Sequence, residues 1–192
     1  MPDKPSMLFR TAYRSPLGSL TLIASDLGLR AILWPRTELR SAGISGRVHL
    51  EPEHPILRRT AEQLDQYFNG TRTSFDIPLD LVGTRFQLAA WRALASIPFG
   101  TTTSYGRQAA ALGMPGAARA LGAANGANPV CIVLPCHRVI GADGSLTGFG
   151  GGLPAKAWLL DHEARIAAGT IDSTPGWQPN QHLQTRLSMP VA

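Results

Sequence analysis

Residues 84–129 read TRFQLAAWRALASIPFGTTTSYGRQAAALGMPGAARALGAANGANP, and the reading of this stretch decides the fold. Thr84 and Gln87 stand at capping-box spacing, and Phe86, Ala90, Trp91, Leu94 and Ile97 then form one apolar face before Pro98, which predicts a helix. Two shorter helices are predicted over 104–112 and 115–125, with Gly113-Met114 as the turn and Pro115 suited to a first helical position. Such a pair has the outline of a helix-turn-helix. The second member, GAARALGAAN, is almost all small residues, and Arg119 alone carries a long side chain. A core helix of that composition would bury little apolar area, so a surface that another body approaches closely is the better account.

Upstream the period changes. Short apolar runs over 8–14, 19–24 and 29–34 alternate with the turn signals Ser15-Pro16-Leu17-Gly18 and Asp26-Leu27-Gly28, the pattern of an antiparallel meander. A polar segment over 35–55 follows, and then Ile56, Leu57, Ala61, Leu64, Tyr67 and Phe68 recur at helical spacing until Asn69-Gly70. The expected fold is therefore α+β: a small N-terminal antiparallel sheet domain over 1–82 and a mainly helical domain with a helix-turn-helix over 84–168. Residues 169–192, with Ser, Thr, Pro, Gln and Asn prominent and no periodic apolar face, are expected to be a disordered tail.

With 192 residues, 18 Lys+Arg and 13 Asp+Glu, the chain carries a formal charge of +5 and is long enough to bury a core without covalent staples. No apolar run approaches the roughly 20 residues of a membrane span, and MPDKPSMLFR has no apolar stretch of signal-peptide type, so no membrane association and a cytoplasmic location are expected. The charge is unevenly placed. Residues 1–83 hold ten bases and nine acids, whereas 84–142 hold five arginines (Arg85, Arg92, Arg107, Arg119 and Arg138) and no Asp or Glu. Spaced arginines free of carboxylates suit a polyanion, because each phosphate contact releases counterions; the bland alternative is an Ala-rich domain with little room for charge.

Asn128-Pro129 ends the helical pattern, residues 130–134 read as a short apolar strand, and Pro135-Cys136-His137-Arg138-Val139-Ile140 follows. A thiol is mostly protonated at neutral pH, so nucleophilic work by Cys136 needs a base, a helix N-terminus or a nearby cation. His137 is the adjacent base, yet side chains of sequence neighbours diverge, and a bridging water or a sharp turn would be needed to connect them. The acids able to orient His137 in the second half are Asp143, Asp161 and Glu163. Zinc is excluded by counting, since Cys131, Cys136 and His137 supply at most three ligands at no standard spacing; Cys131 reads as core. Neither a metal nor any other cofactor is expected.

The run LPCHRVIGADGSLTGFGGGLPAKAWLLDHE, taken with the segment from FQLAAWRALASIPFG onward, resembles the O-6-alkylguanine-DNA alkyltransferases without a gap over about residues 84–165. The resemblance implies an N-terminal domain of ribonuclease-H-like topology and a C-terminal helix-turn-helix domain. It implies direct-reversal DNA repair, in which Cys136 takes the alkyl group irreversibly and once per molecule. The lesion is O-6-alkylguanine, with O-4-alkylthymine a further candidate, and the partner is double-stranded DNA held through its minor groove by a monomer. By the same resemblance His137 acts through a water on the thiol, Glu163 orients His137, and Tyr105 hydrogen-bonds the guanine ring. Asn128 buttresses the nucleophile turn, Pro135 and Phe149 wall the pocket, and backbone groups at Cys136, Val139 and Gly150 read the base edge. Arg119 enters the base stack as the damaged nucleotide rotates out, while Ala117, Ala118, Gly122 and Ala123 let the helix lie in the groove and Arg138 joins the DNA-contacting set. Many relatives carry Tyr at the Phe149 position and a larger residue at Gly150, which predicts acceptance of alkyl groups bulkier than methyl.

Three other readings compete. A binding-only lesion sensor would lack the cysteine, so Cys136 speaks against it. A methylation-switched regulator would need four cysteine ligands, and the chain has two cysteines. A cysteine hydrolase built on Cys136, His137 and Glu163 would turn over and would not need DNA; only the resemblance excludes it.

Overall fold

A computed structural model describes residues 7–169. The tail expected over 169–192 lies, beyond Gly169, outside the described residues. Strands β1 (Leu8–Ser15), β2 (Gly18–Ser25) and β3 (Gly28–Leu33) form the predicted antiparallel meander, and β4 (Val48–Leu50) adds to β1 in parallel, so the sheet order is β3-β2-β1-β4. The polar segment over 35–55 thus holds a strand that its sequence does not announce. Three residues, largely solvent-facing, give no readable alternation, and their pairing with β1 is long-range.

One face of the sheet carries Tyr13, Leu20, Leu22 and Ala24 against Leu57, Ala61, Leu64 and Phe68 of α1 (Pro55–Phe68). The Tyr13 hydroxyl donates to Asp65 Oδ1 at 2.9 Å, so its polar end is satisfied where its ring is buried. The opposite face buries Leu8, Ile23, Ala31 and Leu33 beneath Ile44 and the short 3-10 turn Leu39–Ala42. Coverage on both faces explains why β3 is almost uniformly apolar where a half-solvated strand would alternate.

Helix α2 (Arg85–Leu94) opens with the predicted capping box: the Gln87 amide donates to Thr84 Oγ1 at 3.2 Å and the Thr84 amide to Gln87 Oε1 at 2.9 Å. Helices α3 (Tyr105–Ala111) and α4 (Ala118–Gly126) are the helix-turn-helix pair. They pack on α2 through Ala90, Ala109, Leu121 and Ala124, and small side chains leave the backbones close enough to be tied directly. Trp91 Nε1 donates to the Ala124 carbonyl at 2.7 Å, Gln108 Nε2 to Ala90 O at 3.1 Å, and Asn125 Nδ2 to Gln108 Oε1 at 2.7 Å. Pro115 is not the first residue of α4. It lies in the turn with Gly116, and α4 begins three residues later, after Ala117 N–H closes on Met114 O at 2.9 Å.

Residues 130–134 are likewise not the predicted strand. They form a buried tight turn in which Leu134 N–H donates to Val130 O at 3.0 Å and Ile132 takes φ 76°. Apolar composition reported burial correctly, but burial here belongs to a turn. The two-residue strands β5 (Thr103–Ser104) and β6 (Val139–Ile140) pair in parallel, and α5 (Leu153–Ala167) closes the described chain. One apolar core runs through both halves, from Tyr13 and Tyr67 to Val130 and Leu159. Among the described residues no helix is long and apolar enough to cross a membrane.

The connection between the halves is fastened to β3: Leu29 N–H donates to Pro78 O at 2.8 Å and Asp80 N–H to Leu29 O at 2.9 Å, with Arg30 paired to Asp80 at 2.6 Å. Gly28 permits this, because a Cβ there would stand 2.5 Å from the Pro78 carbonyl oxygen, a backbone atom that cannot rotate away. Gly28→Ala is expected to lower unfolding stability by about 1–3 kcal/mol in urea titration. An unchanged midpoint would mean that the connection is not held this closely.

Candidate active site

Helix α5 carries Glu163, which is 1% exposed. Its Oε1 accepts from Tyr67 OH at 2.8 Å, from His137 Nε2 at 2.7 Å and from Arg138 Nη2 at 3.0 Å. Its Oε2 accepts from Arg138 Nε at 2.8 Å and from Gly100 N–H at 3.1 Å. Burial alone would raise this carboxyl; the hydrogen bonds and charges of His137 and Arg138 outweigh it and hold the group down at about 2. Of the three acids available to His137, the structure therefore selects Glu163.

Cys136, His137 and Arg138 form a single 3-10 turn, all three buried. Burial pushes the His137 imidazole below its ordinary value even against the pull of Glu163, so the ring is neutral at pH 7. With Nε2–H given to the carboxylate, the lone pair of the neutral ring sits on Nδ1, which makes no hydrogen bond within the described residues. The Cys136 side chain points elsewhere, and its Sγ lies 3.7 Å from Sγ of Cys131. That contact draws the Cys136 thiol below its ordinary value against the effect of burial, and Asn128 and the Lys156 charge act in the same direction. Asn128 braces the turn beneath: its Nδ2 donates to Leu134 O at 2.8 Å and its Oδ1 accepts from Val130 N–H at 3.1 Å.

Tyr105 opens α3, half-buried, with its hydroxyl donating to Thr147 O at 3.1 Å. Gly122 of α4 faces that ring; a Cβ there would stand 3.8 Å from it. Arg119 and Ala123 are exposed on the same helix, while Ala117, Ala118 and Gly122 are half-buried. Phe149 meets Trp34 edge-on at 5.4 Å and lies 6.3 Å from the His137 ring. Gly150 borders a cavity of about 90 Å³ that Trp34, Asn128 and Cys131 also line. Pro135, the residue before the 3-10 turn, lines another of about 190 Å³ with Val133, Phe99 and Arg138. The Val139 carbonyl accepts from Lys156 Nζ at 2.6 Å.

Arg138 requires a correction. Counted above with the arginines that meet DNA, it is 6% exposed; its guanidinium grips both Glu163 oxygens and donates from Nη1 to Ile97 O at 2.5 Å. Its guanidinium is committed to these buried acceptors. The other four arginines of the acid-free stretch, Arg85, Arg92, Arg107 and Arg119, are exposed.

Sequence reading passed over three residues of this site. Lys156 is fully buried, donating to Val139 O and Thr147 O at 2.6 Å each, and burial lowers it from its ordinary value while Cys136 opposes that shift. A signal existed: Lys4 is the only other lysine, and Lys156, Leu159 and Glu163 share one face of the helix at i, i+3, i+7. Tyr67 was read as core, and its hydroxyl bond to Glu163 spans 96 positions, beyond any local pattern. Trp34 directly follows β3, and its indole lies against Gly151, where a Cβ would meet it at 2.5 Å.

Two family profiles match the chain: "6-O-methylguanine DNA methyltransferase, ribonuclease-like domain" over residues 8–81 and "6-O-methylguanine DNA methyltransferase, DNA binding domain" over 85–165. The chain is 48% identical over 165 residues to the methylated-DNA–protein-cysteine methyltransferase of Mycobacterium tuberculosis H37Rv, covering 86% of this chain and 98% of that one. It is 37% identical over 178 residues to the protein of the same name from Haemophilus influenzae, covering 91% and 98%. The crystal structure of Mycobacterium tuberculosis OGT in complex with DNA superposes with a TM-score of 0.75 at 43% identity, covering 82% of this chain and 94% of that one.

The pH dependence of stability follows from the two shifted groups. Glu163 sits at about 2 when folded, against roughly 4.3 when unfolded, so its contribution is complete above the upper value and is lost as pH falls toward the lower. His137 is held neutral in the fold, so the unfolded chain takes up its proton first and stability declines as pH drops below about 6.5. The thermal midpoint is expected to fall in two stages on acidification. Glu163→Gln should shrink the lower stage and cost about 3–5 kcal/mol at pH 7, because Arg138 is left buried without its partner. A variant as stable as the parent at pH 7 would contradict this.

Proposed function

The chain belongs to the 6-O-methylguanine DNA methyltransferase family, and from that premise we propose that Cys136 is the cysteine that takes the alkyl group from O-6-alkylguanine. The activity itself is repair of alkylated DNA by alkyl transfer to a protein cysteine, and the chain binds DNA. The observation that carries the assignment is the chain of contacts behind the turn: a carboxylate held ionised by Arg138 fixes Nε2–H of a neutral His137 and leaves Nδ1 as its basic atom.

His137 Nδ1 takes the Cys136 proton through one water, and Lys156 favours the thiolate that results. The sulfur attacks the alkyl carbon in line, the S–C bond forms as the C–O6 bond breaks, and the electron pair passes into the purine. Tyr105 donates a hydrogen bond to the ring nitrogen as that charge develops, exchanging its present acceptor, Thr147 O, for the base. A thioether is a poor alkyl donor, so the reaction stops at one transfer per molecule.

The base reaches this site by leaving the stack. Arg119, exposed on a helix of small residues, fills the gap while the backbone of α4 lies in the minor groove of duplex DNA, and a single copy of the chain suffices. Gly150 carries no side chain where many relatives have a larger residue, which supports acceptance of alkyl groups larger than methyl. Two unpaired cysteines and a DNA substrate agree with the cytoplasm.

Intact-mass and peptide mapping after incubation with duplexes carrying one O-6-methyl- or O-6-ethylguanine tests the assignment. The expected result is one alkyl group per chain, saturating, on Cys136, absent in Cys136→Ala and present in Cys131→Ala. Binding without modification would favour a lesion sensor, and turnover of a substrate without DNA would favour a hydrolase. In a second test, Arg119→Ala should slow repair in duplex at least about tenfold, the scale of one unstacked base step, while leaving reaction with the free base unchanged. Equal loss on both substrates would make Arg119 structural.

A further inference from the structure

Two sulfurs stand at the head of the nucleophile turn. Cys131 and Cys136 are both buried, neither is in a disulfide, and their Sγ atoms are 3.7 Å apart. The approach is built into the backbone. Asn128 clamps the turn from both sides, Leu134 N–H closes on Val130 O, and Ile132 between the cysteines sits at φ 76°, a region that a β-branched residue enters only when its surroundings impose it. On the turn so held the two side chains converge. A pair of small core hydrophobes, the bland reading of buried cysteines, requires no such backbone.

A thiol has one proton to give. With both thiols protonated, Cys136 S–H donates to Cys131 Sγ, and Cys131 S–H donates to the Asn128 carbonyl at 3.3 Å. Once Cys136 is ionised, its sulfur becomes the stronger acceptor, because a hydrogen bond to a charged partner is about twice as strong as one between neutral groups. We propose that Cys131 is a positioning residue for the alkyl transfer: its S–H turns from Asn128 O to the Cys136 sulfur, holding that sulfur as a thiolate and fixing its direction. This rests on the reading of Cys136 as the acceptor.

The surroundings agree. Hydrogen bonding with Cys136, together with burial, keeps the Cys131 proton in place, as a donor requires, and outweighs the Trp34 indole N–H, which acts on the same sulfur in the opposite direction. The groups that bear on Cys136 are Cys131 and Asn128 from the turn, Lys156 from α5, and its own backbone. His137, Arg138 and Glu163 lie behind it as one hydrogen-bonded set. The two thiols therefore divide the work, one keeping its proton and the other losing it.

The test uses the full-length chain and follows carbamidomethylation of Cys136 by iodoacetamide against pH, with peptide mapping to separate it from Cys131. Thiolate absorbance in the near ultraviolet serves as a readout that needs no access to the site. Single-turnover methyl transfer is measured in parallel. In Cys131→Ala and in the bulkier Cys131→Val, neither of which can donate, the midpoint of the Cys136 profile is expected to rise by about one pH unit. The rate near pH 7 then falls about tenfold, while the alkaline plateau stays within about twofold of the parent. Cys131→Ser, whose hydroxyl can donate, should bring the midpoint back. A midpoint that stays in place in either non-donor variant, whether or not the whole curve drops, overturns the proposal. Iodoacetamide needs no DNA, so a shifted profile without methyl transfer would refute the assignment of the alkyl acceptor, and with it the positioning role in alkyl transfer, while leaving the Cys131 hold on the Cys136 thiolate standing.

Discussion

A carboxylate taken out of water has to find its hydrogen bonds within the protein, and Glu163 finds five. The donors come from separate parts of the chain: Tyr67 from α1, Gly100 from the loop after α2, and His137 and Arg138 from the 3-10 turn that begins at Cys136. Each is held by the same two oxygens, so no one of these segments can move without exposing a buried charge. Tyr67 adds a second tie to α5, since its carbonyl lies 3.0 Å from His162 Nε2. The N-terminal half is in this way part of the site without supplying its reactive atom.

The same carboxylate sorts the protonation states. With Glu163 ionised and Arg138 balancing its charge, His137 stays neutral in a buried setting where a second cation would be costly. Lys156, held by the Val139 and Thr147 carbonyls, supplies a positive charge that draws the Cys136 thiol down. Arg138 accordingly belongs to the buried hydrogen-bonded set around Glu163, whereas the other four arginines of the acid-free stretch are exposed.

The sheet contributes rigidity at a distance. Ile32 N–H at the edge of β3 donates to Pro129 O at 2.8 Å, and the Trp34 indole lies on Gly151, so the strand end backs both the turn leading to Cys136 and the loop that follows it. A glycine is required at 151 because the aromatic plane occupies the place of a side chain.

Much of this was legible in the sequence. Capping residues, apolar periodicity and turn signals are local, so the three-strand meander, α1 and α2 could be read directly, and the run from Pro135 to Glu163 supplied, through family resemblance, the candidate residues Cys136, His137 and Glu163, of which the last two meet in the structure. The departures all depend on which segments meet. A three-residue parallel strand has no local pattern, the apolar run over 130–134 could equally serve a buried strand or a buried turn, and Pro115 is as compatible with a turn as with a helix start. Sequence could count five arginines but could not tell that Arg138 would be drawn inward by a carboxylate 25 positions away. It could likewise list two cysteines without indicating that their sulfurs meet. Local chemistry determined the elements and the reactive residue types; tertiary packing decided which side chains share a low-dielectric site, and it is that shared burial which sets their charge states.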